Sequence, residues 1–551
     1  MPERLPRRRP PVHGMTAAAD LVLTNAEVHT LTTPDETAEA VAVRDGRVVG
    51  VGTARDIEHL AGIETTVRDC DGRVVLPGFI DAHTHLPMVG RRLGNADLAA
   101  ADSPDDAVDR LSAHAAETDA DGPRADREWV LGFGYDESAW GDDRYLTVDD
   151  LDAVSDERPV AAVREDMHLA SLNSAALNRL RPDMPEADVH TEGGDPTGVV
   201  VEDALDALWD AVEPDRPAMR RAVHAAQDRA NELGVVGVHD MVRQSEAPAI
   251  YRELDRVGEL SLRVRLNYWA DHLDAVRELG LRTNHGSDRV RTGAIKTFTD
   301  GSLGGRTAKL SEPYADADRE ENGDGNGAEA GDGGDSADGD RGQWVVDPAE
   351  LRDVVARADD ADLQVAVHAI GDEAIRETLD AFEAADGERH RVEHAEVLTD
   401  DLVARLAESD VVASMQPNFL KWAREGGLYA DRLGDERRLA SDRFAELLSS
   451  GADLAFGSDC MPLDPLFGIQ QAVTAPDDRQ RLSVTEALRA YTSGAASAGF
   501  DEDRLGTVET GKLADLVVLD QSPWAVDPED IADIDVRATV VGGTVVFDRR
   551  R

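Results

Sequence analysis

A short segment with two histidines is the clearest chemical signal in this sequence. Residues 77–85 read PGFIDAHTH. Side chains two positions apart on a β-strand point to the same face, so His83 and His85 can direct both imidazoles at one metal ion. Two histidines at a polar strand end also occur by chance, and the segment alone leaves both interpretations open. The rest of the sequence favours a metal site.

Three more potential ligands follow other predicted strands. His368 follows the apolar run 363–367, His394 follows 389–392, and Asp459 follows 454–456. The carboxyl ends of parallel barrel strands converge on one rim, so ligands far apart in the sequence meet there. The sequence therefore predicts a site for one or two divalent metals, and ligation by nitrogen and carboxylate favours Zn²⁺.

Lys296 is unusual in a chain that contains four lysines, because it lies inside the predicted strand 292–298. An unpaired ammonium group buried next to cations is costly. Two interpretations are open. Lys296 forms a salt bridge to Asp300 or another barrel carboxylate, or CO₂ converts its amine to a carboxylate that bridges two metals.

The elements that must position these residues are strands alternating with helical patterns such as 217–233 and 348–359. Repeated alternation predicts parallel βα units, and eight units predict an α/β fold of the (β/α)₈ TIM-barrel type. The eight apolar runs cover residues 78–82, 235–238, 262–269, 290–298, 363–367, 389–392, 411–415 and 454–456.

The two chain ends share a different pattern of short strands. They predict one small β-sandwich domain from residues 20–75 and 505–551, with the barrel, residues 76–504, inserted between its halves. An insertion at about 90–216 follows the first barrel strand, where it should shape substrate binding. Residues 1–19 are predicted to be a disordered tail, and the acidic, glycine-rich residues 315–342 a disordered loop.

Acidic residues dominate the composition. Asp+Glu 111 against Lys+Arg 58 gives a formal net charge of −53, which argues against nucleic acid and anionic membranes as partners. Such acidity is typical of proteins from salt-loving archaea. Two cysteines cannot form a disulfide framework, and no apolar run approaches the ~20 residues that span a bilayer. We expect a cytoplasmic protein with a small-molecule substrate, and a homodimer is the default assembly.

Taken together, these segments resemble the amidohydrolase superfamily. They are most similar to its amidohydrolase-3 branch of N-substituted-formamide deformylase-like and exoenzyme-regulatory-type proteins. The resemblance extends from about residue 20 to 548. The matching segments are 76–85, 296–304, 368–372, 393–395, 416–417, 457–459 and the C-terminal GTVETGKLADLVVL at 506–519.

The resemblance implies a metal-binding role for six residues, with Lys296 as the carboxylated bridge. Asp459 would also take the proton from the attacking water and pass it to the leaving nitrogen. The six residues are His83, His85, Lys296, His368, His394 and Asp459.

The insertion departs from the branch pattern, since 166–168 reads DMH where the branch has a Gly-His-Ser-like turn. By the resemblance, His168 polarises or orients the substrate, and Asn173 orients it. The alternative for Asn173 is a helix N-cap. Asp300, next to the Lys296 strand, is assigned to substrate binding.

The expected function is hydrolysis of an amide, N-formyl or related C–N bond by metal-activated water. An aminohydrolase acting on a nitrogen heterocycle is an alternative that ammonia release would distinguish. A non-catalytic metal-binding barrel is a third possibility, and it would bind metal without turnover.

Overall fold

The computed structural model describes residues 18–120, 128–142, 144–243, 245–317 and 341–549, without the side chains of residues 117–120 and 139. At its centre lies an eight-stranded parallel sheet whose neighbouring strands are consecutive along the chain. In chain order, barrel strands 1 to 8 are Phe79–Thr84, Val235–Val242, Arg263–Trp269, Val290–Phe298, Val365–Ala369, Arg391–His394, Val412–Met415 and Asp453–Phe456.

The sheet curls so that its last strand reaches its first. Past barrel strand 8, the backbone N–H groups of Ser458 and Asp459 donate to the carbonyl oxygen of His83 at 3.1 and 2.7 Å. Gly457 permits this approach, because a Cβ there would lie 2.3 Å from the His83 nitrogen. The predicted (β/α)₈ barrel is confirmed, and every predicted apolar run overlaps one of its strands.

Helices connect the barrel strands, and local sequence explains where several of them begin. Asp215 and Asp347 cap the helices that follow them, and a proline occupies the first turn of each. Apolar side chains of these helices and of the strands form the largest buried core. The barrel helices are Leu86–Leu93, Arg216–Glu232, Ala247–Val257, Leu273–Glu278, Pro348–Asp359, Asp372–Glu383, Asp400–Glu408, Leu428–Leu439, Phe444–Ser450, Pro465–Val473, Val484–Arg489 and Ala495–Ala498.

The insertion builds a mixed sheet of its own, which the sequence analysis did not predict. Side chains along its strands alternate between two buried clusters, so the insertion is packed on both faces. In chain order its strands are Ala96–Asp97, Val130–Tyr135, Val160–Arg164, Leu169–Leu172, Val189–Glu192 and Asp195–Val201. Its helices are Pro104–Ala120, Val148–Asp152, Ser174–Leu180 and Ala204–Ala211.

Strands from both chain ends pair in one sheet. It consists of Glu27–His29, Thr37–Ala38, Val74–Pro77, Leu516–Leu519, Val536–Val541 and Thr544–Asp548. A second sheet contains Ala19–Thr24, Ala40–Arg44, Arg47–Gly52 and Ala61–Asp69, with helix Ala54–Glu58 beside it. Apolar side chains from both sheets form a shared buried cluster. The division into a sandwich domain and a barrel domain stays a prediction.

Two expectations fall mostly outside the described residues. The tail 1–19 is described from residue 18 onward, and a strand already begins at Ala19. The acidic loop 315–342 is described at 315–317 and 341–342. Within the described parts of the chain, no helix has the length and apolar character needed to cross a membrane.

Replacing Gly90 by alanine is expected to destabilise the fold. Gly90 lies in helix Leu86–Leu93, and a Cβ there would come within 1.8 Å of the Ala222 carbonyl oxygen on the facing helix. The helices must separate, which should lower the free energy of unfolding by about 1–3 kcal/mol, as measured by urea denaturation. Gly52→Ala is the matched control, since a Cβ there has no atom within 4 Å. Equal losses in both variants would contradict the helix contact as the cause.

Candidate metal centre

Five of the predicted metal ligands converge at the carboxyl ends of the barrel strands. Nitrogen or oxygen atoms of His83, His394 and Asp459 all lie within 4.8 Å of one another. The Nε2 atom of His85 is 3.4 Å from Asp459 Oδ1. The ring centroids of His368 and His394 are 4.4 Å apart. The structure therefore brings these side chains into one site.

Burial keeps the four imidazoles neutral. It lowers the pKa of His83, His368 and His394 well below the usual value, and neighbouring cationic groups add to the effect. The pKa of His85 falls to about 3, first through burial and then through repulsion from Lys296. A neutral imidazole offers the lone pair that a metal requires.

Unpartnered polar atoms show that this donor set fits a divalent cation. His394 Nδ1 and Asp459 Oδ1 are buried and have no hydrogen-bond partner. Such atoms are rare in folded proteins, and both are of the types that bind divalent metals. His394 and Asp459 also have φ values of 73° and 49°. This left-handed conformation strains non-glycine residues and is concentrated at functional sites.

Glu393 orients His83, a role that the sequence analysis missed. Glu393 Oε2 lies 2.6 Å from His83 Nδ1, so that nitrogen donates and Nε2 keeps the free lone pair. Arg391 lies 2.7 Å from the other oxygen of Glu393, and all three side chains are buried. Arg391 also donates to the Ser414 hydroxyl at 2.9 Å. The sequence signal that could have indicated this role is the presence of two charged residues, Arg391 and Glu393, two positions apart in a predicted buried strand.

Lys296 lies at the same rim with 1% of its surface exposed. Its Nζ atom is 4.7 Å from the centroid of the Phe298 ring. Burial lowers the pKa of Lys296 to about 8, although Glu393 and Asp459 oppose the shift. Among the described residues, no carboxylate lies within 4.0 Å of Nζ. The structure therefore does not contain the salt bridge to Asp300 that the sequence left open.

Asp300 lines the cavity, but backbone groups occupy its carboxylate. The oxygens accept from the N–H groups of Lys309, Ile370 and Gly371 at 2.8, 3.0 and 2.8 Å. Asp300 therefore connects the loop that contains Lys309 to the loop that contains Ile370 and Gly371 at the rim of the barrel. The Asp300 oxygens therefore have little capacity left to accept a hydrogen bond from a substrate, which was the predicted role of this residue.

Asn173 lies away from the cavity, which corrects its assignment to substrate binding. Its Oδ1 atom accepts from the backbone N–H groups of Ala176 and Val160, both at 2.9 Å. Its amide donates to the carbonyl oxygens of Ser155 and Arg158 at 2.7 and 2.8 Å. The side chain is fully buried and caps helix Ser174–Leu180, as the alternative interpretation expected.

His168 does reach the site from the insertion. Its ring centroid lies 6.4 Å from that of His368, and its Nδ1 is 3.0 Å from Glu202 Oε2. Burial lowers the pKa of His168, but the Glu202 carboxylate outweighs it and raises the pKa to about 9. The insertion thus brings a cationic donor to the rim.

The predicted metal ligands line a cavity of about 500 Å³, a volume suited to a small-molecule substrate. Trp209, Trp269 and Phe298 form part of its wall. A smaller cavity of about 40 Å³ shares His368, His394 and Asp459 with the larger one and is also lined by Phe419 and Trp422. These aromatic walls were not predicted from the sequence, although Trp269 and Phe298 end barrel strands 3 and 4, the positions that face the mouth.

Glu393→Gln is expected to weaken metal binding while the barrel still folds. The amide keeps the shape of the side chain but loses the charge that pairs with Arg391 and holds the proton on His83 Nδ1. Metal affinity should fall about 10–100-fold, as measured by competition with a chromogenic chelator. Glu377→Gln, a partly exposed partner of Arg352, is the control and should change nothing. Unchanged affinity in folded Glu393→Gln would contradict the orienting role.

Known proteins are similar in sequence to this protein over most of its length. The Amidohydrolase family model matches residues 66–547. The putative amidohydrolase YtcJ of Bacillus subtilis (strain 168) is 31% identical over 550 residues, covering 95% of this chain and 98% of the relative. N-substituted formamide deformylase of Arthrobacter pascens is 25% identical over 571 residues, covering 97% and 99%.

A solved structure has a similar fold. An uncharacterized metal-dependent hydrolase from Pyrococcus furiosus superposes with a TM-score of 0.72 at 32% identity, covering 92% of this chain and 99% of that chain. The similarity in sequence and in fold extends over the barrel, the insertion and the end sheets. The chain therefore belongs to the amidohydrolase family and is a metal-dependent hydrolase of the amidohydrolase superfamily.

Proposed function

We propose that this protein hydrolyses an amide, N-formyl or related C–N bond of a small molecule. It would use one or two divalent metals, with zinc preferred, held by the four histidines and Asp459. The observation that carries the proposal is the meeting of neutral imidazoles with a buried, unpartnered carboxylate oxygen at the mouth of the cavity. The relative named N-substituted formamide deformylase supports this type of bond.

A divalent cation held there supplies Lewis-acid polarisation of the scissile group and lowers the pKa of a coordinated water. Asp459 provides the proton transfer. Its Oδ1 lies 3.4 Å from His85 and 3.7 Å from His83, at the centre of the site. Burial raises the pKa of Asp459 to about 7, which suits a group that accepts a proton from water and returns it to the leaving nitrogen.

His168 orients the substrate from the part of the cavity wall that the insertion forms. Glu202 accepts from its Nδ1, which leaves Nε2–H to donate to the oxygen of the scissile group. A cationic donor stabilises negative charge that develops on that oxygen. Asp300 contributes by holding the loop at the rim, and the aromatic walls exclude water from the bound substrate.

Lys296 is carboxylated in this proposal. Its ammonium group would first lose a proton, the amine would then bond to the carbon of CO₂, and the adduct would lose a second proton, which converts a cation into an anion. The change removes the repulsion between Lys296 and the adjacent histidines and adds an oxygen ligand. Support comes from the burial of Nζ and from the lack of an ion-pair partner among the described residues.

Two alternatives use the same ligands. An aminohydrolase of a nitrogen heterocycle would release ammonia, and a non-catalytic barrel would bind metal without turnover. The cytoplasmic location, the homodimer and adaptation to high salt stay expectations from composition.

His83→Ala is expected to abolish metal content and turnover together. Loss of a ligand should lower kcat/KM by about 10³-fold or more, since metal activation contributes several kcal/mol. Metal is measured by elemental analysis, and turnover on a panel of N-formyl and N-acyl amines with a parallel ammonia assay. His59→Ala, at an exposed position beside the end sheets, is the control. Full activity in chelated wild-type protein would refute the proposal.

Carboxylation of Lys296 predicts a labelled carbon on the protein. Metal-loaded protein equilibrated with ¹³C-bicarbonate should show a carbamate signal by ¹³C NMR. Lys296→Ala should lose the signal, and Lys512→Arg should retain it. Acetate should partly restore activity to Lys296→Ala by replacing the missing carboxylate. A folded, metal-loaded wild-type protein without the signal would contradict carboxylation.

A further inference from the structure

A second polar cavity lies at the opposite end of the barrel from the metal centre. It is lined by Arg263 and Arg265, at the start of barrel strand 3, and by Arg289 and Arg291, at the start of barrel strand 4. The metal ligands are at the carboxyl ends of the strands. The proposed hydrolysis therefore uses none of these four arginines.

Positive charge is in excess around this cavity, although the chain has a formal net charge of −53. Asp288 and Asp501 are the carboxylates among the lining residues, against the four arginines. Arg504 and Asp515 flank the cavity and pair with Asp288 and Arg263, respectively. Counting both, together with Asp255, whose charge also acts on Arg289, gives five guanidinium groups and four carboxylates, an excess of one positive charge.

The carboxylates are already engaged. Asp501 accepts from Arg265 at 2.8 Å and from Arg291 at 3.1 Å. Asp515 accepts from Arg263 Nη2 at 2.9 Å. Arg289 has no carboxylate within 4.0 Å among the described residues. Arg289 therefore has no close ion-pair partner in this part of the protein, and Asp515, Asp255 and Asp288 attract it only from farther away.

Two guanidinium N–H groups at the cavity lack acceptors. The Nη1 atoms of Arg265 and Arg289 are both buried and without a hydrogen-bond partner. The Arg265 side chain is 4% exposed. Burial lowers the pKa of Arg289 and repulsion from Arg263 adds to the shift, while Asp515, Asp255 and Asp288 oppose it. Leaving charged donors unsatisfied in this way is costly, so an acceptor with negative charge would stabilise the cavity.

His239 provides a neutral donor next to the arginines. Arg391 Nη1 lies 2.8 Å from His239 Nδ1, and a guanidinium can only donate, so the proton of His239 is on Nε2. The lack of a side chain at Gly499 keeps space there, because a Cβ would lie 2.5 Å from Arg265 Nε and 3.0 Å from His239 Nε2. The cavity is thus lined by charged guanidinium donors and by the neutral imidazole donor of His239.

We propose that this cavity binds a small inorganic anion of the halide class, chloride in the first place. Its volume of about 20 Å³ holds one water-sized occupant, which is too little for phosphate or for an organic carboxylate. A chloride ion would accept from the Nη1 groups of Arg265 and Arg289 and offset the excess charge. A water molecule would satisfy the hydrogen bonds but not the charge. The bound ion holds the starts of barrel strands 3 and 4 together.

Thermal unfolding at constant sodium concentration tests the proposal. Gluconate is replaced stepwise by chloride, so that screening of the acidic surface by cations stays the same. The Tm of wild-type protein should rise by about 2 °C and then level off. Arg289→Gln, which changes a partly exposed arginine, should fold and lose this rise. Arg282 is an exposed arginine that lies close to Arg289 in the sequence and pairs with Asp362, and Arg282→Gln should retain the rise.

Bromide gives a direct measurement of the same site. Crystals soaked in sodium bromide should show an anomalous peak beside the guanidinium groups of Arg265 and Arg289, and the peak should be absent from Arg289→Gln. A water-filled cavity without a peak, together with an equal chloride response in wild-type protein and Arg289→Gln, would overturn the proposal.

Discussion

The closure of the barrel at His83 is the contact on which the metal centre depends. The carbonyl oxygen of His83 accepts two backbone N–H groups from the turn after barrel strand 8. Asp81 Oδ1 strengthens the same junction by accepting from the N–H groups of His83 and Ser458 at 3.1 and 3.0 Å. Because the first and last strands meet there, Asp459 faces His83. Without closure, the carboxylate of Asp459 and the imidazoles of His83 and His85 would lie at opposite edges of an open sheet.

Inside the barrel, a chain of polar contacts runs from this junction toward the base. His83 donates to Glu393, Glu393 pairs with Arg391, and Arg391 donates to His239. TIM-barrel interiors are usually filled by layers of branched apolar side chains. Polar groups at this depth are tolerated because each has a partner that offsets the cost of desolvation. The same contacts set the tautomers of His83 and His239. The Nε2 atom of His83 therefore keeps its lone pair free for a metal ion before any ion binds.

The insertion determines what the site can hold. It is fastened to the barrel loops through Arg92, which donates to the carbonyl oxygens of Cys460 and Glu165 at 2.7 and 3.2 Å. Trp422 of a barrel loop donates to Asp136 of the insertion at 3.1 Å. These contacts hold the insertion, and with it His168, next to the predicted metal ligands. The predicted metal ligands therefore lie in the barrel, while the insertion supplies much of the cavity wall.

The sequence by itself determined the barrel strands and the candidate ligands, because both follow from local patterns. Apolar runs of strand length identify strands, and chemical groups at their carboxyl ends must meet once the strands are parallel. Tertiary structure alone decided that Glu393 orients His83, that Asn173 caps a helix, and that Lys296 has no ion pair with Asp300. It also decided that four arginines share one cavity in an acidic protein. Each of these depends on distances between side chains from separate parts of the chain, and local sequence carries no information about such distances.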